Sequence, residues 1–509
     1  MSQLLLGIDI GTYSSKGVLC RPDGTIIAEA RADHDMSIPK PGYAEHDADA
    51  VWWSDFKQIA KELTGKAPQG DQIIGVGVSA IGACVLPVDE GGIPLRPGIL
   101  YGVDTRAVNQ IEELENKFTR EALVEFGGTR LTTQAVGPKI LWIKQNEPEI
   151  YKKTAKFITS TSYVIFKLTG NYVIDAHTAT EFNPFINIKT VSWDDRFTGG
   201  IASLDQLPKI GWSDEVAGRV TAEATAETGI PEGTPVNFGA VDALSEAVSV
   251  GVVDTGELMI MYGSTAFFIF LIEKPVPTYE LWLEAGAFKG QYEYSAGLST
   301  SGSATTWFRD QFGKDLLQSE SAGGKNAYAA LAEEAASSPV GANGLIMLPY
   351  MSGERTPIFD PKARGVVAGL SLSHTRGDVY RAVLEGTAFS IRMNLEAMQK
   401  AGAQIKHGVA VGGGASNELW LQMVSDVSGI PQLLPEKTIG ASYGNAFLAG
   451  LAVGAIKNLD VLKNDWVRII QEIHPNAENK KVYDRIYPLF KDLYQGSKSV
   501  VHQLTDTQK

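Results

Sequence analysis

One short pattern occurs twice in this chain: an apolar strand, a tight turn of glycine and a hydroxyl residue, and a second strand. It first runs Leu4-Leu5-Leu6-Gly7-Ile8-Asp9-Ile10-Gly11-Thr12, continues through Lys16-Gly17-Val18-Leu19-Cys20, and turns at Pro22-Asp23-Gly24-Thr25 into a third strand at 26–30. It returns as Leu258-Met259-Ile260-Met261-Tyr262-Gly263-Ser264-Thr265 followed by 266–272, with Thr12 and Thr265 lying 253 residues apart in a chain of 509. A repeat at half the chain length predicts two related domains rather than unrelated modules. The turn Val252-Val253-Asp254-Thr255-Gly256 is the natural cut, giving domains at 1–250 and 251–509. Between the strands, Trp53, Phe56, Ile59, Ala60 and Leu63 recur at helical spacing within 52–63, and a strand follows at 72–79. This alternation predicts an α/β layered fold.

Charge narrows the ligand. The chain has 45 Lys+Arg against 59 Asp+Glu, a net charge of −14, with no basic run, which argues against binding nucleic acid or an anionic membrane. Any phosphate must then be held by local backbone N–H groups and metal. Cys20 and Cys84 are the only cysteines, too few for a disulfide framework or a four-thiolate zinc site. No basic leader precedes Asp9, and the apolar stretch 258–272, bounded by Glu257 and Glu273, is too short for a membrane span. A cytoplasmic protein is expected.

Asp9 is the first residue with chemical content, because an acid inside Leu-Leu-Leu-Gly-Ile-Asp-Ile-Gly is costly unless paired, hydrated or bound to metal. Gly11 and Thr12 can turn N–H groups and a hydroxyl toward a phosphate, although a plain hairpin with a part-exposed acid would read the same. The triple glycine Gly412-Gly413-Gly414, between a strand at 408–411 and a helix at 418–428, admits a flat or phosphorylated ligand, or is a tight turn only. Gly75-Val76-Gly77-Val78-Ser79-Ala80 imitates a dinucleotide fingerprint, but no helix follows it, which rules out that site, and a Walker A loop is absent. Asp242 precedes a helix at 243–250, either as its N-cap or as a carboxylate placed to take a proton from an attacking hydroxyl. His374 and His407 lie near turns without metal-ligand spacing and read as surface or packing residues. Further helices are expected at 107–117, 139–146, 160–168 and 375–400, the last with a Thr375/Asp378 capping box and a stop at Gly402. The tail from 476 reads as an amphipathic helix, kinked at Pro488, with a mobile polar end.

Taken in order, Gly7-Ile8-Asp9-Ile10-Gly11-Thr12, the Asp242 segment, Tyr262-Gly263-Ser264-Thr265, Pro349-Tyr350-Met351-Ser352-Gly353-Glu354-Arg355 and Gly412-Gly413-Gly414-Ala415-Ser416-Asn417 make a set far more specific than any member. Over residues 4–455 the chain resembles the FGGY family of carbohydrate kinases, most of all its xylulokinase branch. The resemblance implies two ribonuclease-H-like domains of actin/hexokinase type, with ATP and sugar in the cleft between them, and it admits a homodimer. It implies Asp242 as catalytic base and Asp9 as the acid holding hydrated Mg²⁺. Gly11, Thr12 and Lys16 would face the phosphates, Gly263, Ser264 and Thr265 would form a second phosphate turn, and Gly412, Gly413, Gly414, Ala415 and Asn417 would line the nucleotide pocket. Ser79, Gly82, Ala83, Asp104, Arg106 and Asp242 would meet the sugar.

The sugar side departs from the family pattern. Where xylulokinases have Ser-Gly-Gln-Met-His-Gly, this chain has Ser79-Ala80-Ile81-Gly82-Ala83-Cys84, and where they have Trp-Asn-Asp-x-Arg it keeps Asp104 and Arg106 behind Gly102 and Val103. Ala243 replaces the usual Asn after the base. The expectation is an ATP-dependent kinase for a ketopentose such as xylulose, the alternatives being another ketose, a polyol, a sugar acid, or a non-catalytic actin-like switch.

Overall fold

Leu4, Leu5, Leu6, Ile8 and Ile10 are all buried, which marks their strand as central in a sheet covered on both faces. In the computed structural model, which describes residues 2–507, this strand is β1 (Gln3–Ile10). It pairs antiparallel with β2 (Ser14–Cys20), which pairs with β3 (Ile26–Asp33). On its other side it runs parallel to β4 (Gln72–Ala80). The sheet continues from β4 through β6 (Pro235–Asn237) to β5 (Val216–Arg219), and the short β7 (Ala240–Val241) pairs with the end of β4. Helix α1 (Ser54–Gly65) covers one face with Phe56, Ile59, Ala60 and Leu63, as its periodicity predicts, and a π-helical turn, Ala48–Trp53, precedes it. A short helix, α2 (Ala176–Thr180), and α3 (Asp242–Ser249) carry polar groups used below.

The hairpin-plus-parallel-strand core repeats. Strand β8 (Leu258–Tyr262) pairs antiparallel with β9 (Ala266–Ile272) and parallel with β10 (Gly408–Val411), followed by β11 (Gln432–Pro435) and, further along the chain, β12 (Ile469–Ile473). Around these lie α4 (Gly302–Phe312), α5 (Ala327–Ser337), α6 (Arg376–Lys400) and α7 (Glu418–Ser428). The capping box at Thr375 and Asp378 forms as the sequence predicts.

The compact units interleave along the chain. The first takes in the chain up to Thr255, then Leu271–Glu293 and Lys437–Arg468; the second holds Gly256–Phe270, Tyr294–Glu436 and the described residues from Ile469 onward. The late return to the first unit is made by α8 (Ala441–Ala452), which packs on β1, β4 and α3. Three glycines make the approach possible. A Cβ on Gly7 would stand 1.9 Å from Ser442 O, one on Gly77 would stand 2.0 Å from Asn445 O, and one on Gly444 would stand 2.0 Å from Ser245 O. The false dinucleotide fingerprint therefore serves helix packing.

The last helix, α9 (Ala477–Asp506), carries Pro488 inside it. It stays helical through Asp506, so the polar end expected to leave the fold is instead part of the helix over most of its length; 508 and 509 lie outside the described residues.

Candidate active site

In the first unit, strand register places the acids. Asp9 stands opposite Ser79 on β4 and Lys16 on β2, and β7 runs beside the end of β4 with Ala240 opposite Ser79, which brings Asp242 to the same end of the sheet. Gly239, at φ +80°, makes the turn into β7, where Val78 O and Thr161 leave no room for a Cβ. Asp242 is not an N-cap: that position is Val241, and Asp242 opens α3 with its Oδ1 accepting the N–H of Ala243 at 2.8 Å.

Asp9 and Asp242 are each half-buried. Burial pushes Asp9 up to about 6, against the opposing pull of the Ser79 hydroxyl at 2.6 Å and the charge of Lys16. Burial, and then the charge of Asp9, push Asp242 up to about 7. Glu246, one turn along α3, is raised to about 7 by burial and by Asp9. Three carboxyl groups thus face one ammonium, and the site holds its last negative charge reluctantly. Gly11 closes the first turn through its N–H to Ser14 O, and His34 braces that turn, with Nε2 at 3.1 Å from Gly11 O and Nδ1 at 2.7 Å from Asp55. Thr12 Oγ1 lies 3.2 Å from the Tyr101 hydroxyl.

The residues expected against the sugar are distributed unevenly. Gly82 is half-buried beside Tyr101 and Val241, where an added Cβ would be in ordinary contact at 3.8 and 3.6 Å. Ser79 lies beneath Asp9, wholly buried, and supports the acid. Ala83 is also buried, with its N–H donated to Glu181 at 2.7 Å. Asp104 and Arg106 pair with each other at 2.7 Å with no exposed side-chain surface, and Arg106 also meets Glu45 at 2.8 Å and stacks over Tyr43. These two brace the 101–106 loop instead of lining it. Spacing did not reveal a buried charged cluster behind this segment. His177 of α2 donates from Nδ1 to Ala285 O at 2.9 Å, with Glu293 at 3.4 Å and Glu284 at 3.9 Å. Despite the cost of burial, their carboxylates push His177 up to about 9, while burial and the charge of Glu284 push Glu181 up to about 8.

The second unit carries the other motifs. Carbonyls of Gly263 and Ser264 accept N–H groups from Gly302, Ser301 and Ser303, which ties the turn to the start of α4. Gly412 adopts φ +90°, where a Cβ would strike Tyr262 O, and Asn417 caps α7 by accepting the N–H of Trp420. These turns wall a cavity of about 620 Å³ with Gly263, Ser264, Gly413, Gly414 and Asn417 on its surface. Thr265, Gly412 and Ala415 are not among its lining residues. Tyr262 and Ser416 of the same motifs also line it, and Thr305 and Thr306 of α4, Asn326, Tyr328 and Tyr380, to which the motifs did not point, add to its wall. Gly413 has open space where a Cβ would stand, as close approach by a ligand requires.

A chain that builds one hairpin-and-parallel-strand core twice, with carboxyl groups at the strand ends of the first and a glycine-walled cavity on the second, has the architecture of an actin/hexokinase-type phosphotransferase. The comparisons with known proteins narrow that class. The N-terminal domain model of the FGGY family of carbohydrate kinases matches residues 4–249 and the C-terminal domain model matches 258–453, so the chain belongs to that family. The xylulose kinase of Bacillus subtilis (strain 168) is 27% identical over 517 residues, covering 99% of each chain. The gluconokinase of Bacillus licheniformis is 27% identical over 516 residues, covering 100% of this chain and 99% of that one. The crystal structure of xylulose kinase from Rhodospirillum rubrum superposes with a TM-score of 0.91 at 30% identity, over 98% of this chain and 100% of that chain. The protein is accordingly a sugar kinase, which transfers phosphate from ATP to an alcohol group. Among the described residues no helix is long and apolar enough to cross a membrane.

Proposed function

We propose that the chain phosphorylates a neutral ketose, a ketopentose such as D-xylulose first among them, with Asp242 as the base. The half-buried carboxyl at the head of α3 carries this reading: it is exposed enough to meet a hydroxyl and basic enough to take its proton near neutral pH. The sugar would rest against Gly82 and Tyr101, and its hydroxyl would lose its proton to Asp242 as the γ-phosphoryl group transfers. Nucleotide would occupy the glycine-walled cavity of the second unit, where backbone N–H groups and the Thr305 and Thr306 hydroxyls suit polyphosphate and ribose.

Asp9, with Asp242 and Glu246 close by and Lys16 opposite, fits a hydrated Mg²⁺ ion. When bound, that ion spreads the charge of the transferring phosphate. The domains would divide the work, sugar and base with residues up to about 250 and nucleotide with the later part of the chain, apart from Leu271–Glu293 and Lys437–Arg468, which belong to the first unit. The cellular setting that suits these parts is the cytoplasm, and light scattering tests whether a homodimer forms.

A neutral substrate is favoured over a sugar acid by the state of the cations. Arg106 is fully committed to Asp104 and Glu45, and Lys139, buried, donates to Leu100 O at 2.8 Å. A substrate carboxylate would meet carboxyl groups instead. Coupled ADP release measured across ketoses, aldoses, polyols and sugar acids tests this: kcat/KM for D-xylulose should exceed that for D-gluconate at least tenfold. A preference for gluconate, or ADP release unaffected by any sugar, overturns the reading.

A further inference from the structure

Asn445 lies on α8 where the helix meets β1 and β4, and it has no exposed surface. Its Nδ2 donates to Ile8 O at 2.9 Å and to Ser79 Oγ at 2.7 Å, and its Oδ1 accepts from Ser245 Oγ at 2.7 Å. The orientation is fixed by its partners, since a reversed amide would set oxygen against the Ile8 carbonyl and leave NH₂ facing a hydroxyl that must itself donate elsewhere. Ser79 has one O–H. With its Oγ already accepting from the amide, that proton points to Asp9 Oδ1, 2.6 Å away. Ser245 stands one turn beyond Asp242 on α3 and is also wholly buried. One side chain from residue 445 therefore touches the strand that carries Asp9, the hydroxyl that supports Asp9, and the helix that begins with Asp242.

We infer that Asn445 is a positioning residue of the phosphoryl-transfer site, aiming the Ser79 hydroxyl at Asp9 and fixing the roll of the helix that presents Asp242. The inference rests on the roles proposed above for those two acids. The charged groups facing Asp9 are Lys16 from β2 and Asp242 and Glu246 from α3; β4 supplies Ser79 and α8 supplies the neutral amide. An amide joins these elements without adding negative charge to a group of three acids. In buried surroundings such a relay is worth more than its separate bonds, because each donor is held by the next. Without the amide, the Ser79 hydroxyl is free to turn to the Ile8 carbonyl, and Asp9 loses the donor that holds its carboxyl group in place.

The test is a double-mutant cycle of Asn445→Ala and Ser79→Ala, reading kcat, KM for the sugar and thermal melting. Asn445→Ala should lower kcat about 10- to 100-fold, the scale of a misplaced reacting group, with KM for the sugar within about threefold of the parent. The double variant should be no worse than about threefold below Ser79→Ala, because one relay is broken twice. A purely structural role predicts a lower melting temperature with kcat per active molecule unmoved; that outcome, or losses that multiply in the double variant, overturns the inference. Asn445→Ser and Ser245→Ala, smaller disturbances of the same bonds, carry the cycle if the alanine variant does not fold. Asp242→Asn, assayed in parallel, separates the two readings: full activity there removes the base assignment, while the coupling between Asn445 and Ser79 is measured independently.

Discussion

At the scale of single residues, Asp242, proposed above as the base, shows why a carboxyl group raised by burial costs stability. Its folded pKa, about 7, lies above the 3.8 of an unperturbed Asp, so the folded state prefers the protonated form. The sign follows: the contribution to stability is fully present below pH 3.8 and is lost as pH rises through about 7. Asp242→Asn should therefore lower kcat about 10²- to 10⁴-fold. The same substitution should stabilise the protein at pH 8 by about 1–2 kcal/mol, a value discounted for the exposed part of the carboxyl, and do nothing at pH 3.5. Calorimetry at the two pH values beside steady-state assays checks this, and lower stability at pH 8 would contradict it. In the parent enzyme, kcat/KM should rise with pH and level off above about 7, because the base must be ionised to accept a proton.

The single-residue features most legible in sequence were those whose local setting is anomalous. Asp9 announces itself as an acid among Leu and Ile, and Gly263 and Gly412 as turns at strand ends. Asn445 and His177 did not, because their chemistry depends on partners more than a hundred residues away. A lone amide in the small-residue run Gly440-Ala441-Ser442-Tyr443-Gly444-Asn445 was the one available signal. The mutual pairing of Asp104 and Arg106 was likewise not legible, because two charges two residues apart do not show in sequence whether they satisfy each other.

Among the elements, α8 depends most on missing side chains. Gly77→Ala would force a Cβ to within 2.0 Å of Asn445 O, and Gly444→Ala would do the same against Ser245 O. Neither neighbour can yield, because both are backbone. Each substitution should cost about 1–3 kcal/mol, and for Gly444 this outweighs the roughly 1 kcal/mol that alanine gains in a helix. Gly496 in α9 is the contrast, with nothing near its missing Cβ, so Gly496→Ala should stabilise by about 0.5–1 kcal/mol. Denaturant melts of the three variants would show the pattern, and a stable Gly444→Ala would refute the packing argument. Periodicity located α1, which buries one apolar stripe, whereas a capping box and a glycine stop marked α6. Periodicity said little about α8, where nearly every side chain is buried and helical spacing has no polar face to reveal it.

For the whole molecule, the interleaving of the chain limits how it can be cut. A fragment of residues 1–255 lacks α8, the helix that covers Gly7 and Gly77 and holds Ser79. Expressed alone it should fail to give a cooperative melt and should bind hydrophobic dyes, whereas co-expression with 256–509 should restore a protease-resistant complex. A fragment that melts cooperatively would show that the first sheet closes without its late helix. The repeated turn foretold two related halves, but not that the chain returns to the first after residue 437, because a strand motif carries no record of which sheet a distant helix covers.

That return has a consequence for synthesis. About 190 residues separate the end of the first long segment at Thr255 from Asn445. At a translation rate of roughly 5–20 residues per second, the first sheet waits about 10–40 s on the ribosome with its α8-facing surface uncovered. The glycine-lined face that later admits a helix so closely is, for that interval, an open apolar surface, and the growing chain has good reason to meet a chaperone before it meets its own residue 445.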